Sequence, residues 1–199
     1  MNFVINYFSS VGKVVENLNY ELITKYVDIF NSTRKNSGRI FVLGMGGSAA
    51  NASHMVNDLR KICGIEAYAP ADNIAEFSAS CNDEGLGTYF PRWLETSKIS
   101  KKDVIFILSV GGGSREKNVS MELVNAIEVA SKNGAKILGI VGRDGGEAYK
   151  NSKEVLIVPT IISSLDTPLV ESFQAVIWHA IVFHPSLKIT PSKWESIGK

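Results

Sequence analysis

The sequence has few cysteines and no long apolar run, and each shortage excludes a class of protein. Its 199 residues include only Cys63 and Cys81, whose spacing matches no zinc motif, so we expect two free thiols in a reducing compartment. No apolar run approaches the roughly 20 residues that span a bilayer. The N-terminus has no basic region before an apolar core, which argues against a signal peptide. We therefore expect a cytoplasmic protein with no membrane partner.

An excess of charge is also missing. The chain has 21 Lys and Arg against 20 Asp and Glu, which leaves a net charge of +1. Proteins that bind nucleic acid non-specifically carry a clear cationic excess, so we expect no nucleic-acid partner. The hydrophobic content of 45% is sufficient for a packed core and excludes global disorder.

What the sequence does contain is a repeated order of apolar strand, glycine-rich turn and helix. Residues 4–36 have apolar side chains at helical spacing, which predicts one or two helices before the first strand. Repetition of strand, turn and helix predicts βαβ units in a doubly wound parallel sheet. The predicted strands are 39–43, 104–109, 136–141 and 154–158, and the later helices are 49–62, 118–133 and 166–183.

No linker or low-complexity stretch divides the chain, so we predict one domain over residues 1–199. It consists of a helical segment at 1–36, an α/β core at 37–184 and a tail at 185–199. The tail contains Trp194, a side chain that rarely stays in water. It would cover the protein's own core or dock on a neighbouring subunit.

Two serine- and glycine-containing turns directly follow predicted strands. One is Gly44–Ser48 and the other is Ser109–Ser114. Backbone N–H groups at a helix N-terminus bind anions, and glycines let a ligand approach the backbone closely. The first turn is not a P-loop, because no Lys follows it, and Asn51 replaces the last glycine of GxGxxG. Either turn alone could be merely a tight turn, but two at the carboxyl ends of parallel strands predict one phosphate site, as for a sugar phosphate.

The segments GMGGSAANASH (44–54), SVGGGS (109–114) and VGRDGG (141–146) together resemble the SIS (sugar isomerase) domain. Within that group, the chain is similar to the phosphoheptose isomerases, which interconvert sedoheptulose 7-phosphate and a manno-heptose 7-phosphate. The resemblance covers about residues 39–179. It implies a five-stranded sheet, N-terminal helices used in oligomerisation and a homotetramer with sites between subunits. It also implies a role in making cell-surface heptose for lipopolysaccharide or capsule.

The resemblance also implies a set of substrate-binding residues. Ser48, Ser109 and Ser114 match the family's phosphate-binding serines, while Met45, Val110 and Gly111 replace the family's Asn, Thr and Ser. Asn82-Asp83 matches an Asn-Asp pair that the family carries between the two turns. The expected substrate-binding set is Gly46, Gly47, Ser48, Asn82, Asp83, Ser109, Gly111, Gly112 and Ser114.

Aldose–ketose isomerisation requires a base beside the carbonyl carbon and an acid at its oxygen, linked by an enediol. The family uses a Glu on the helix after the first turn and a His on the last helix. Some members bind zinc through these two residues, a His one turn before the Glu, and a Gln. In this chain His54 matches that first His, and Asp58 stands where the Glu belongs. The i,i+4 spacing places both on one helix face.

The last helix departs further from the family. Aligned without gaps, Val170 takes the position of the Gln and Trp178 that of the catalytic His. A small register shift would bring His179 to the His position; otherwise Glu171 and Gln174 would serve in a different arrangement. The candidate catalytic residues are therefore Asp58, Glu171 and His179. No cofactor is required, and the candidate ligands for a zinc ion are His54, Asp58, Glu171 and His179.

The leading hypothesis is a sugar-phosphate aldose–ketose isomerase that resembles phosphoheptose isomerase. Two alternatives stay open at this point. The replacements at Asp58, Val170 and Trp178 would also suit a non-catalytic SIS module that binds a phosphosugar or serves as a protein adaptor. They would equally suit an isomerase for a different phosphosugar.

Overall fold

A five-stranded parallel sheet forms the centre of the computed structural model, which describes residues 2–191 and 193–197. The strand order is β2-β1-β3-β4-β5. Successive strands are therefore added on opposite sides of β1, as in a doubly wound fold. This confirms the predicted fold class. The strands are β1 (Ile40–Leu43), β2 (Ala67–Tyr68), β3 (Val104–Ser109), β4 (Lys136–Val141) and β5 (Val155–Ile157).

Helices cover both faces of the sheet. Those of the described residues are α1 (Phe3–Glu16), α2 (Tyr20–Lys35), α3 (Gly47–Lys61), α4 (Ile74–Asp83), α5 (Tyr89–Thr96), α6 (Met121–Lys132), α7 (Gly146–Asn151), α8 (Asp166–Val182) and α9 (Lys193–Ser196). Single 3-10 turns lie at Pro70–Asp72, Leu86–Thr88 and Ser163–Leu165. None of the helices in this part of the chain is both long enough and apolar enough to cross a membrane.

The N-terminal segment forms two helices because asparagines end one and begin the next. The side chain of Asn2 caps α1 by accepting from the backbone N–H of Val4. Asn17 ends α1, and Asn19 caps α2 by accepting from the N–H of Leu22. Asparagine is favoured at such positions because its side-chain oxygen satisfies an N–H group that has no partner within the helix.

Alternate residues of each central strand enter two apolar cores. Ile40 and Val42 pack on the side of α1, α2, α3 and α8, whereas Phe41 and Leu43 pack on the side of α5, α6 and α7. Both faces of the strands are therefore buried, which explains why β3 and β4 could be predicted as unbroken apolar runs. The arrangement leaves the carboxyl ends of the strands as the edge at which loops and helix N-termini gather.

Two elements between α3 and β3 were not predicted. Strand β2 has only two residues, too few to show an apolar period. Helix α4 ends at Asp83, so Asn82 and Asp83 form its last two residues. Its first residue, Ile74, is exposed, and Ser80 is its only buried residue. A helix with so little buried surface lacks the apolar stripe on which prediction depends.

The segment after α8 contacts the C-terminal ends of α2 and α3. Leu187 is fully buried, and the backbone N–H groups of Ile189 and Thr190 donate to the carbonyl oxygen of Ile62. The guanidinium of Arg34 donates to the carbonyl of Leu187 and thereby holds the segment. Trp194 lies beyond these contacts and is 84% exposed, so it does not cover the protein's own core.

Candidate active site

The carboxyl ends of β1, β3 and β4 open into a cavity of about 430 Å³. Ser48, at the start of α3, lines it together with Ser109, the last residue of β3, and Ser114. β1 and β3 are the two strands between which the order of the sheet reverses, where doubly wound folds bind their ligands. The two serine-containing turns thus face one cavity.

The three serine hydroxyls have the same hydrogen-bonding pattern. Each Oγ accepts from a donor within the chain. Ser48 accepts from Nε2 of Gln174 at 3.1 Å, Ser109 from the N–H of Gly112 at 3.1 Å, and Ser114 from the N–H of Lys117 at 3.2 Å. Because a hydroxyl has one hydrogen of its own to donate, each O–H stays available for an acceptor in the cavity. Three such donors suit an anion rich in oxygen, such as a phosphate monoester.

The turn after β3 is held in shape by the loop before α7. Gly112 has a φ of +70°, and a Cβ there would lie 2.0 Å from the carbonyl oxygen of Gly145. The backbone N–H of Ala148 donates to the carbonyl of Gly112 at 3.0 Å. Gly111, in contrast, lines the cavity and has open space where a Cβ would stand. The predicted binding residues Gly46 and Gly47 lie exposed just before and at the start of α3.

Charged side chains of both signs surround the serines. Arg143 lines the cavity in left-handed backbone conformation, with a φ of +54°, and its Nε lies 4.0 Å from the buried carboxylate of Asp166. Lys117 and Thr167 also line the cavity, although neither was assigned to the site from the sequence. The sequence indicates a role for them only by position, because each lies close to a residue that was assigned to the site. The full charged lining is Glu116, Lys117, Arg143, Asp144, Lys150 and Glu171.

Glu171 belongs to the cavity wall, and its carboxylate lies directly against Gly47. The side-chain amide of Asn51 donates both to the carbonyl of Glu171 and to Oε1 of Gln174, each at 2.9 Å. Gln174 is fully buried, and its Nε2 donates a hydrogen bond to Oγ of Ser48. Helices α3 and α8 are thus joined by a polar network at the inner end of the cavity.

Further along the same two helices, His54, Asp58 and His179 form a separate cluster. Oδ2 of Asp58 lies 3.9 Å from Nε2 of His54 and 3.8 Å from Nε2 of His179. Asp58 is buried, whereas both imidazoles are partly exposed. Nδ1 of His179 lies 2.8 Å from the carbonyl oxygen of Ala175. A carbonyl can only accept, so Nδ1 carries a hydrogen in this contact, and Nε2 is the ring nitrogen that faces Asp58.

His179 lies beside Asp58, whereas its neighbour Trp178 is fully buried. Neighbouring residues on a helix point about 100° apart, and here this rotation turns His179 to the surface between α3 and α8. The sequence could not decide between a register shift and a different arrangement. The structure places His179 beside Asp58 and Glu171 in the cavity wall.

The cluster and the cavity are distinct places on the molecule. Glu171 and His179 are eight residues apart on α8, about 12 Å along the axis at 1.5 Å per residue. The cavity lining, as the described residues define it, includes neither imidazole nor Asp58. Asn82 and Asp83 also lie outside it. Both are exposed, and the Asn82 amide donates to the Asp83 carboxylate.

The donor set of the cluster fits zinc, the metal that the family resemblance implies. Two imidazole nitrogens and one carboxylate oxygen are ligands that zinc prefers, and the three lie within 4.8 Å of one another. Ligand atoms on a tetrahedral zinc ion lie about 3.3 Å apart, given its bond lengths of about 2 Å. Small movements of the exposed imidazoles would close the difference. Glu171, the fourth candidate ligand, is not part of this group.

Comparison with known proteins agrees with this geometry. Residues 6–142 match the SIS domain family. The phosphoheptose isomerase of Helicobacter pylori (strain P12) is 33% identical over 179 residues, which cover 86% of each chain. Lincomycin biosynthesis protein LmbN of Streptomyces lincolnensis is 28% identical over 191 residues, or 91% of this chain and 68% of that one. The solved phosphoheptose isomerase of Neisseria gonorrhoeae superposes with a TM-score of 0.78 at 22% identity, covering 90% and 95% of the two chains.

These matches and the cavity at the strand ends agree with the resemblance found in the turn motifs. The chain belongs to the SIS domain family and, within it, to the phosphoheptose isomerases.

Proposed function

We propose that this protein is an aldose–ketose isomerase that converts sedoheptulose 7-phosphate to manno-heptose 7-phosphate through an enediol. The observation that carries the proposal is the cavity in which Ser48, Ser109 and Ser114 each keep an O–H to donate. The phosphate would bind there, supported by backbone N–H groups at Gly46, Gly47 and Gly111, while the N–H of Gly112 orients Ser109. Arg143 would add a cationic contact from the wall.

Proton transfer is assigned to Asp58, His179 and Glu171. A base removes a proton from C1 of the ketose and an acid protonates the oxygen at C2, which gives the enediol. The enediol then takes up a proton at C2 while the hydroxyl on C1 gives up its proton, which leaves the aldehyde at C1. His179 and Asp58 share the proton-transfer work in this assignment, because Nε2 and Oδ2 face each other. A seven-carbon chain separates phosphate from carbonyl, so these groups need not lie beside the serines. Glu171 is the alternative base if the reacting carbons stay inside the cavity.

Zinc, if it is used, would be held by His54, Asp58 and His179. When bound, the ion would polarise the substrate carbonyl as a Lewis acid. The chain's own residues would still bind the phosphate and orient the sugar. Comparing turnover after chelation and after added zinc tests whether the metal is needed.

The active assembly is proposed to be a homotetramer with sites between subunits. Helix α1 supports this, because its apolar residues Phe3, Val4, Ile5 and Phe8 are all more than half exposed. Asn82 and Asp83 lie outside the cavity lining of their own subunit and would act in the cavity of a neighbour. We assign the protein to the cytoplasm, where free Cys63 and Cys81 would persist, and to the supply of heptose for lipopolysaccharide or capsule.

A different phosphosugar is the second candidate substrate. It is favoured by Val170 and Trp178, which replace family site residues, and by the similarity to a lincomycin biosynthesis protein over 91% of the chain. Proton NMR of the purified protein with sedoheptulose 7-phosphate and with a panel of other ketose and aldose phosphates separates the two. New aldose signals from the heptulose alone support the first candidate. Turnover of another sugar in its place supports the second.

A further inference from the structure

Trp178 contacts both imidazoles of the surface cluster. Its indole lies against the ring of His179 with centroids 3.6 Å apart and planes inclined by 30°. The ring of His54 meets it edge-on, with centroids 4.7 Å apart and planes at 71°. The two imidazoles contact each other as well, at 5.2 Å between centroids. One fully buried side chain thus forms a wall behind two partly exposed rings.

Core packing alone does not explain an indole at this position. The Nε1–H of Trp178 is buried and has no hydrogen-bond partner among the described residues. A buried donor without a partner destabilises the fold, a cost that a Leu or Phe in the same place would avoid. What indole supplies beyond those residues is a larger aromatic face, wide enough to meet a second ring.

We propose that Trp178 is a positioning residue that holds His54 and His179 with their Nε2 atoms towards Asp58. An imidazole that is 57% exposed, as in His54, or 41% exposed, as in His179, would otherwise sample several rotamers. The indole face and the bond from Nδ1 to Ala175 fix the His179 ring on two sides. His54 is held by its contacts with the rings of Trp178 and His179 and by its approach to Asp58. The kinetic consequence rests on the proposed function, whereas the ring geometry does not.

Histidine ring NMR tests the geometry without any substrate. The chain has three histidines, and His184 lies outside the cluster, so it is an internal reference. The ring current of Trp178 should displace the Cε1–H signals of His54 and His179 from their unstacked positions. W178L should remove this displacement and leave His184 unchanged, and W178F should retain part of it. Unchanged His54 and His179 signals in folded W178L, or in W178F if W178L does not fold, would overturn the proposal.

Kinetics then test whether the held geometry matters. W178L should lower kcat on the order of 10- to 100-fold with little change in KM, and W178F should recover much of the loss. The matched control is L169A, which truncates a buried side chain of α8 away from the rings. An equal loss of kcat in L169A would show that Trp178 contributes packing alone. Full activity in W178L would show that the ring geometry does not affect catalysis, and either result would contradict the proposed kinetic role. If wild type converts no sugar phosphate, the proposed function fails, and the NMR comparison alone decides the positioning role.

Discussion

Asp58 is the residue whose surroundings most directly indicate chemistry. Oδ1 accepts from the amide of Asn57 at 2.8 Å, which leaves Oδ2 to face the two imidazoles. His179 approaches this carboxylate from α8, with Nε2 3.8 Å from Oδ2. The fold thus brings an acid and an imidazole of two helices together, and both were assigned to proton transfer from the sequence.

Asp58→Asn keeps the shape of this side chain and removes its charge. If Asp58 takes part in proton transfer, kcat should fall on the order of 10²- to 10⁴-fold, and the melting temperature should change little. Steady-state kinetics of D58N and of E171Q measure this side by side. A nearly active D58N together with an inactive E171Q would contradict this role of Asp58 and would identify Glu171, inside the cavity, as the base.

At the scale of elements, the turn after β3 depends on its contact with the start of α7. Two backbone N–H groups, those of Glu147 and Ala148, donate to carbonyls of Gly113 and Gly112. The close approach of Gly112 to Gly145 leaves no room for a side chain between them. Helix α7 therefore fixes the backbone from which Ser109 and Ser114 project.

Gly112→Ala and Gly111→Ala form a matched pair in this turn. G112A should destabilise the protein by about 2 kcal/mol or more, because a positive φ and a contact with backbone oxygen both oppose a Cβ. G111A should leave stability nearly unchanged and raise KM, since its methyl would enter open cavity space. Urea unfolding and steady-state kinetics of both variants check this. Equal stability of the two variants would contradict the account of the turn.

How well the sequence predicted each element depends on how much of its surface is buried. β3 and β4 match the expected ranges residue for residue, because each is an apolar run between polar or glycine residues. That Ser48 and Ser109 face the same cavity follows from strand direction alone. The sequence could not predict that His179 faces α3. Side chains that follow one another on α8 point about 100° apart, and only the packing of α8 against α3 decides which of them meets Asp58. The site residues with no apolar pattern of their own, such as Lys117, were missed for the same reason.

For the whole molecule, two buried carboxylates give opposite pH dependences. The guanidinium of Arg39 and nearby backbone N–H groups hold the pKa of Asp103 below its usual range, despite the opposing effect of burial. This contribution to stability is present above the unfolded pKa and is lost as pH falls. Burial raises the pKa of Glu122 above its ordinary 4.5. Its contribution is present below the unfolded pKa and is lost as pH rises.

Glu122→Gln should therefore stabilise the protein more at neutral pH than near pH 4.5, the ordinary pKa of glutamate. The reason is that ionised Glu122 is disfavoured in the fold, whereas glutamine stays neutral throughout. Urea unfolding of wild type and E122Q at the two pH values gives the difference in unfolding free energy. A difference that does not grow with pH would show that Glu122 ionises as readily in the fold as in the unfolded chain.

The exposed face of α1 predicts the state of assembly. Phe8→Asp places a charge among Phe3, Val4 and Ile5, and it should convert tetramers to smaller species if this face is buried between subunits. Ile74→Asp, on the exposed start of α4, is the control for a charge placed elsewhere. Sedimentation velocity measures both variants. Wild type that sediments as a monomer would contradict the proposed tetramer.

The most direct test of the central claim is proton NMR of sedoheptulose 7-phosphate with the protein in D2O. The account predicts an aldose product whose C2 carries deuterium from solvent, because the enediol is reprotonated there. The same sample with D58N should show little conversion. The contradicting result is no conversion and no deuterium exchange in a sample where the sugar phosphate still raises the melting temperature of the protein. That result would exclude isomerisation of this heptulose and would support phosphate binding in the cavity alone.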